Sequence, residues 1–206
     1  MALLNEHDMD IIHHAVERAE EKSASEIVIV AVGSCDDYGP YRAAWSAVAA
    51  TALCGLTAIF APHYPDPWYV IAVLPAGFLF WVLSGIPWMM RCIVPKDIRE
   101  AAMNARLMQA FSEHRVYATR DKTGLLIILC EAEHLVGILG DSGIHAHVGN
   151  DGWKAHVNTI VQGIRNKQPA KALAQVIDEL AEVLVHIAPR REDDANELPN
   201  NVRVER

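Results

Sequence analysis

Hydrophobic residues recur at helical spacing in four parts of the chain. The first is residues 7–22, where Ile12 and Val16 share one face and either Asn5 or Asp8 can cap the start of the helix. The same spacing predicts three further amphipathic helices, at residues 95–111, 151–164 and 169–184. These helices alternate with shorter apolar runs, which predicts a chain of mixed α/β class.

Three short runs rich in branched aliphatic residues predict buried strands at residues 26–32, 124–130 and 135–139. A helix separates the first two strands, which predicts a parallel pair with a right-handed crossover. Only residues 131–134 connect the second strand to the third, so these two are predicted to form an antiparallel hairpin. Helices on both sides of this mixed sheet give an α/β/α sandwich.

Two long runs without a charged residue interrupt this pattern, at residues 43–61 and 68–90. Each can form a helix of about 28 Å or more, close to the thickness of the hydrocarbon core of a bilayer. They predict a two-helix transmembrane hairpin over residues 41–94, inserted into a discontinuous soluble domain of residues 1–40 and 95–189. A helical hairpin buried inside a soluble protein is the alternative.

Basic residues flank the hairpin on one side only. Arg42 precedes the first run, and Arg91, Lys96 and Arg99 follow the second, whereas the loop between the runs has no Lys or Arg. The positive-inside rule therefore predicts a two-pass protein of the bacterial inner membrane, with its soluble domain and both termini in the cytoplasm.

Composition and cysteine spacing argue against some classes of function and predict the state of the cysteines. The net charge of −8 and the absence of a basic stripe argue against binding to nucleic acid. Cys35, Cys54, Cys92 and Cys130 form no Cys-x-x-Cys pair and are predicted to be reduced thiols, in agreement with a cytoplasmic domain. Residues 190–206 are rich in charge and lack aromatic residues, so they are predicted to form a disordered tail.

Three segments, in this order along the chain, resemble motifs of the TPM-domain family. Residues 23–30 resemble its Ser/Thr-x-x-Glu-Ile-x-x-Val segment, residues 119–127 its Thr-x-x-x-x-Gly-Val-Leu strand entry, and residues 136–144 its strand ending in Asp-x-Gly-Ile. The resemblance covers most of residues 7–40 and 95–189 and leaves out the hairpin. It implies a TPM-like α/β/α sandwich.

The TPM family includes thylakoid-lumen proteins linked to photosystem II repair, with phosphatase activity proposed for some members and calcium binding for others. The predicted anchor and the resemblance together leave two alternative roles. One is a membrane-anchored binding module that assembles or maintains a membrane protein complex, and the other is a weak metal-assisted phosphatase-like hydrolase. The sequence favours the first, since it has no Cys-x5-Arg phosphate loop, Walker P-loop or Gly-x-Ser-x-Gly elbow. No catalytic residue is identified, and the oligomeric state stays open.

Carboxylates beside the predicted strand ends are the candidate metal ligands. Asp36 and Asp37 follow the first strand, and Asp141 follows the third. Strand ends of α/β sheets often gather ligand groups, and hard cations prefer oxygen ligands, so these residues predict a calcium or magnesium site. Loop-capping carboxylates are the alternative. His145 and His147 would face the same way on an extended segment, which makes them, with Asp141, candidate ligands of a transition metal. A solvated cluster of surface histidines is the alternative.

Overall fold

The computed structural model describes residues 4–60, 66–120, 122–190 and 202–205. The chain divides into two compact units. Met1–Cys35 and Ala101–Arg206 together form the sheet unit, and Asp36–Glu100 forms the helical unit. In chain order the elements are α1 (Glu6–Lys22), β1 (Ile27–Val32), α2 (Gly39–Phe60), α3 (Asp66–Ser84), α4 (Pro87–Ile93), α5 (Lys96–Glu113), β2 (Leu125–Cys130), β3 (Leu135–Gly140), α6 (Ser142–Arg165), α7 (Pro169–Ile187) and β4 (Arg203–Glu205).

The sheet has the strand order β3-β2-β1-β4. β1 and β2 are parallel, with Ile27 opposite Leu125 at one end and Val32 opposite Cys130 at the other. β2 and β3 are antiparallel. Both pairings confirm the predictions, because a helix between strands favours parallel pairing and a four-residue linker allows only a hairpin.

β4 corrects the prediction of a disordered tail after residue 190. Arg203–Glu205 pairs in parallel with β1, with Val204 opposite Ala31. Residues 191–201 and 206 lie outside the described residues. A three-residue strand has too little apolar periodicity to be recognised in a charged segment. Its pairing depends on the open edge of β1, which exists only once the sheet has formed.

Both faces of the sheet are covered by helices, which confirms the predicted α/β/α arrangement. One face of β1 and β2, including Ile29 and Ile127, packs into a core with residues of α1, α6 and α7. The opposite face, including Val30 and Ile128, packs with Leu107 and other residues of α5. Every residue of β1 and β2 is buried, which explains why both strands are continuous apolar runs rather than alternating ones.

Two local features define the ends of elements in the sheet unit. The side chains of Asn5 and Asp8 both take part in a capping box at the start of α1, so both predicted capping residues are used. A glycine is required before β2, because a Cβ at Gly124 would lie 2.0 Å from the carbonyl oxygen of Val116. That contact gives a physical reason for the glycine of the TPM-like strand entry.

α6 begins earlier than the sequence predicts. The hydrophobic spacing predicts a start after residue 150, whereas Asp141 caps a helix that starts at Ser142. Gly149 interrupts this helix with a φ of 66° and ψ of 170°. The predicted start therefore corresponds to the part of α6 that follows the break, and the turns before it, which include His145 and His147, are helical rather than extended.

α2 and α3 of the helical unit pack against each other. Arg42, near the start of α2, contacts Trp81 and Ser84 near the end of α3. At mid-length, a Cβ at Gly77 would lie 3.7 Å from the Cβ of Ala50. These contacts make the two helices antiparallel, with small residues where their backbones approach.

The second predicted span is broken rather than continuous. The chain changes direction by 102° between two helices of this span, Ile71–Ser84 of α3 and Pro87–Ile93, which is α4. Ile86 has the extended conformation, with a φ of −70° and ψ of 128°, because the following Pro87 disfavours helical geometry there. By length and composition, Gly39–Phe60 qualifies as a membrane span, and the bent pair qualifies only if its two helices count as one span.

Candidate functional site

A disulfide bond joins β1 and β2 at the end of the sheet where both strands finish. Cys130 is the last residue of β2, and Cys35 lies three residues beyond the end of β1, with a Cα–Cα distance of 6.1 Å between them. The parallel register places Val32 opposite Cys130, which brings the continuing chain back across the end of β2. The prediction of reduced thiols is therefore wrong for this pair, whereas Cys54 and Cys92 are free.

A buried carboxylate completes this group. A carboxylate oxygen of Glu133 and the Sγ atoms of Cys35 and Cys130 all lie within 4.8 Å of one another. Glu133 is 1 % exposed and lies in the turn between β2 and β3. Its Oε1 accepts hydrogen bonds from the Ser34 hydroxyl at 2.7 Å and from the Cys35 N–H at 3.0 Å. We call Cys35, Cys130 and Glu133 the strand-end cluster.

Backbone hydrogen bonds hold the strand-end cluster together independently of the side chains. The N–H of Glu131 donates to the carbonyl of Val32, and the N–H of Ala132 donates to that of Gly33, each at 3.0 Å. The turn after β2 is thus fastened to the chain leaving β1. Sequence reasoning missed this cluster. Aligning the two predicted parallel strands at their ends would have placed the cysteines beside each other.

The three aspartates predicted to share a calcium or magnesium ion do not converge. Asp36 and Asp37 follow Cys35, beyond the end of β1, and accept hydrogen bonds from nearby backbone N–H groups, including that of Gly39. Asp141 lies where β1 and β2 begin, and its N–H donates to the carbonyl of Gly124. The antiparallel direction of β3 causes this separation, since it carries the chain back along the whole sheet before Asp141.

The predicted histidine pair is also separated by its secondary structure. His145 and His147 lie on α6 rather than on an extended segment, so residues two apart point to different sides of the helix. Nδ1 of His145 accepts a hydrogen bond from the Trp153 indole at 3.2 Å, and Nδ1 of His147 lies 3.1 Å from the carbonyl oxygen of Gly143. Both rings have structural partners within their own helix.

A second group of polar residues lies at the start of β1. Burial raises the pKa of Glu20 to about 8, the carboxylates of Glu26 and Glu17 add to the rise, and the Ile27 N–H and Arg190 oppose it. Oε1 of Glu20 accepts the hydrogen bond from Ile27 at 3.1 Å. This carboxyl therefore holds a proton near neutral pH, which reduces repulsion from the buried Glu26.

Comparison with known proteins supports the fold and no specific activity. No family model matches the chain. No curated protein matches it either. Among solved structures, the NMR structure of the BA42 protein from the psychrophilic bacterium Bizionia argentinensis is similar, with a TM-score of 0.58 and 17% sequence identity. The match covers 98% of this chain and 94% of BA42. At this identity the likeness concerns the fold alone. The chain therefore shares its mixed α/β fold with the BA42 protein.

Proposed function

We propose that this chain is a membrane-anchored binding module. In this proposal α2 and α3 cross the bilayer as a two-helix anchor, and the TPM-like sheet unit assembles or maintains a membrane protein complex on the cytoplasmic face. The observation that carries the proposal is the large apolar surface that α2 and α3 leave uncovered.

The exposed faces of these helices consist of large apolar side chains. Val48 is 60 % exposed and Phe60 79 % exposed on α2, while Leu74 is 79 % and Phe78 66 % exposed on α3. Only 17% of the most apolar 18-residue stretch of α2 is buried, whereas a core helix of a soluble protein is mostly buried. Monomeric soluble proteins rarely expose contiguous apolar surface on this scale, whereas lipid tails cover it without cost.

The strand order supports an even number of crossings. β1 precedes α2 and β2 follows α5, yet β1 and β2 are paired neighbours in one sheet. In this proposal the chain therefore leaves and re-enters the membrane on the same side. A single crossing by α2 would place the two strands on opposite sides, so we propose that α3 returns the chain. α3 has 19 residues, about 28 Å of helix, and it qualifies as a membrane span when it is counted together with α4.

Orientation follows from the basic residues at the ends of the anchor. Arg42 and Arg91 lie at the predicted cytoplasmic ends, while residues 61–65, between α2 and α3 in the sequence, include no Lys or Arg. Trp88 on the short α4 is 66 % exposed, as expected of a helix that lies in the membrane interface. The cytoplasmic face is therefore proposed for the sheet unit.

The phosphatase-like alternative has less support from the geometry. It depended on a cation held by Asp36, Asp37 and Asp141, and the direction of β3 separates Asp141 from the other two. A binding role requires no such convergence.

Alkaline carbonate extraction of cell membranes tests the anchor. The unmodified protein should stay in the pellet. Val48→Lys combined with Leu74→Lys should release it, because each buried charge near a helix centre costs about 2.5–3.5 kcal/mol of insertion free energy. Met108→Lys is the matched control, since Met108 is 62 % exposed on α5 of the sheet unit. Extraction of the unmodified protein by carbonate would contradict the anchor and favour apolar helices buried against another chain.

Orientation and assembly need separate measurements. A membrane-impermeant maleimide applied to intact cells should label His63→Cys, between α2 and α3 in the sequence, and leave the exposed Cys92 unlabelled. The reverse pattern would place the sheet unit outside. Native electrophoresis in mild detergent should show the protein in an assembly larger than its own micelle. Migration of the protein alone would count against an assembly role.

A further inference from the structure

The strand-end cluster offers three atoms of the kinds that bind thiophilic metals, and its two sulfurs are joined by a disulfide bond. Two cysteine sulfurs and one carboxylate lie within 4.8 Å of one another in the sheet unit. Tetrahedral zinc, with bonds of about 2.3 Å to sulfur and 2.0–2.2 Å to oxygen, needs ligand atoms roughly 3.6–3.8 Å apart. Opening the disulfide would let the sulfurs move to that separation within the same cluster.

We propose that the Cys35–Cys130 disulfide is reversible and that its reduced form binds a divalent thiophilic cation of the zinc class. The two thiolates and the carboxylate of Glu133 are the protein ligands. The inference goes beyond the proposed anchoring function and does not depend on it.

The redox step requires a dithiol reductant. One thiolate of the reductant attacks the disulfide, forms a mixed disulfide with one cysteine and releases the other as a thiolate. The second thiol of the reductant then displaces the first cysteine and leaves the reductant oxidised. Two electrons and two protons pass to the protein in total. Cys35 is the accessible point of attack, because it is partly exposed while Cys130 is 2 % exposed.

Metal binding follows from the charge of the reduced cluster. A divalent cation displaces two protons from the thiols, and the resulting thiolates with the Glu133 carboxylate carry three negative charges around it. Such charges are costly in a buried site unless a cation compensates them. Thiolate sulfur selects zinc-class ions over calcium or magnesium, which prefer oxygen ligands. The inferred metal therefore differs in class from the calcium or magnesium predicted from the aspartates.

The surrounding hydrogen bonds keep the ligands in place after reduction. The Ser34 hydroxyl and the Cys35 N–H hold the Glu133 carboxylate, and the Glu131 N–H fastens the turn to Val32. None of these contacts involves the disulfide. They act as the supporting shell that orients ligands and strengthens metal binding.

The disulfide and the metal-bound dithiolate cannot form at the same time. Metal binding would therefore depend on how reducing the surroundings of the protein are. A disulfide that is reduced and formed again in this way is regulatory rather than structural. Three protein ligands also leave a fourth position of a tetrahedral ion open to water or to a group from a partner.

The test is a metal titration of the full-length protein in detergent. One sample is reduced with dithiothreitol and desalted without oxygen, and a second is kept oxidised. Both are titrated with Zn²⁺ in competition with a chromophoric chelator, and with Co²⁺ to detect thiolate-to-cobalt absorption. The reduced sample should bind one ion per chain with that absorption, and the oxidised sample should bind at least about tenfold less.

Variants locate the site. Cys35→Ser and Cys130→Ser should each weaken metal binding and reduce the thiolate-to-cobalt absorption, and Glu133→Gln should weaken binding by about tenfold or more. Cys92→Ser, which removes a free cysteine outside the cluster, should behave as the unmodified protein. Binding by the reduced unmodified protein no stronger than by the oxidised one would overturn the inference, whatever the folding of the variants. Equal binding by Cys35→Ser and the unmodified protein would also overturn it.

Discussion

Arg42 of α2 lies over the indole ring of Trp81 of α3, with its Cζ 4.8 Å from the ring centroid. The same guanidinium donates hydrogen bonds to the Trp81 carbonyl at 3.2 Å and to the Ser84 hydroxyl at 3.3 Å. One side chain thus joins the start of α2 to the last turn of α3. It satisfies a terminal carbonyl of α3 and places a positive charge at the negative end of the helix dipole.

Removing this guanidinium should loosen the helical unit. Arg42→Ala is expected to lower the stability of the protein in detergent by about 1–3 kcal/mol, because it removes a cation–π contact and two hydrogen bonds. Arg42→Lys should have a smaller effect, since it keeps the charge without the planar fork. Thermal unfolding followed by circular dichroism measures the difference.

The control for Arg42 is another basic residue of the helical unit. Lys96 forms an exposed i,i+4 ion pair with Glu100, and such pairs contribute little. Lys96→Ala should therefore leave the midpoint temperature of thermal unfolding nearly unchanged. Equal effects of Arg42→Ala and Lys96→Ala would contradict the structural role of Arg42.

The antiparallel contact between α2 and α3 predicts a specific cross-link. Because a Cβ at Gly77 would lie 3.7 Å from that of Ala50, Ala50→Cys with Gly77→Cys should form a disulfide within one chain on mild oxidation. Val48→Cys with Gly77→Cys is the control, since Val48 is exposed on α2. Non-reducing electrophoresis should show a faster monomer for the first pair only. Cross-linked dimers in place of that monomer would show contact between chains instead.

Glu20 should make stability fall as the pH rises. Its folded pKa of about 8 exceeds the ordinary value of 4.5, so from about pH 4.5 to 8 the unfolded chain ionises while the folded chain stays protonated. The contribution of Glu20 to the stability of the folded protein is complete below about pH 4.5 and is lost progressively as the pH rises to about 8. Glu20→Gln keeps an acceptor for the Ile27 N–H and removes the titration. It should raise the melting temperature by at least about 3 °C relative to the unmodified protein at pH 8, with little change at pH 4.5.

The neighbouring Glu21 is the matched control, since its side chain is exposed. Glu21→Gln should preserve the slope of melting temperature against pH. A slope that is unchanged in Glu20→Gln would show that this carboxyl ionises normally in the folded protein.

β4 should protect the open edge of β1. Deleting residues 202–206 removes the strand that pairs with Val30, Ala31 and Val32. Hydrogen exchange should then become faster at β1 amides, because each lost backbone hydrogen bond contributes about 1 kcal/mol. Amides of β3 serve as the internal control, because β3 lies at the opposite edge of the sheet. Unchanged exchange in β1 would mean that β4 does not pair stably.

The sequence by itself determined the elements whose signals are local. The apolar stripes of α1 and α7, the branched runs of β1 and β2, and the uncharged segments that became α2 and α3 follow from residues within one element. The four-residue turn also predicted the antiparallel β2–β3 pair. Such signals depend on backbone preferences and on helical or strand periodicity, which neighbouring residues are sufficient to express.

Only the tertiary structure decided which residues from distant parts of the chain become neighbours. The Cys35–Cys130 bond spans 95 positions and depends on the register of β1 against β2. The direction of β3 carries Asp141 away from Asp36, and β4 is defined by the edge on which it pairs. These relationships arise because the folded state buries the whole sheet at once. The free energy that selects a register is therefore distributed over many residues, and no single segment encodes it.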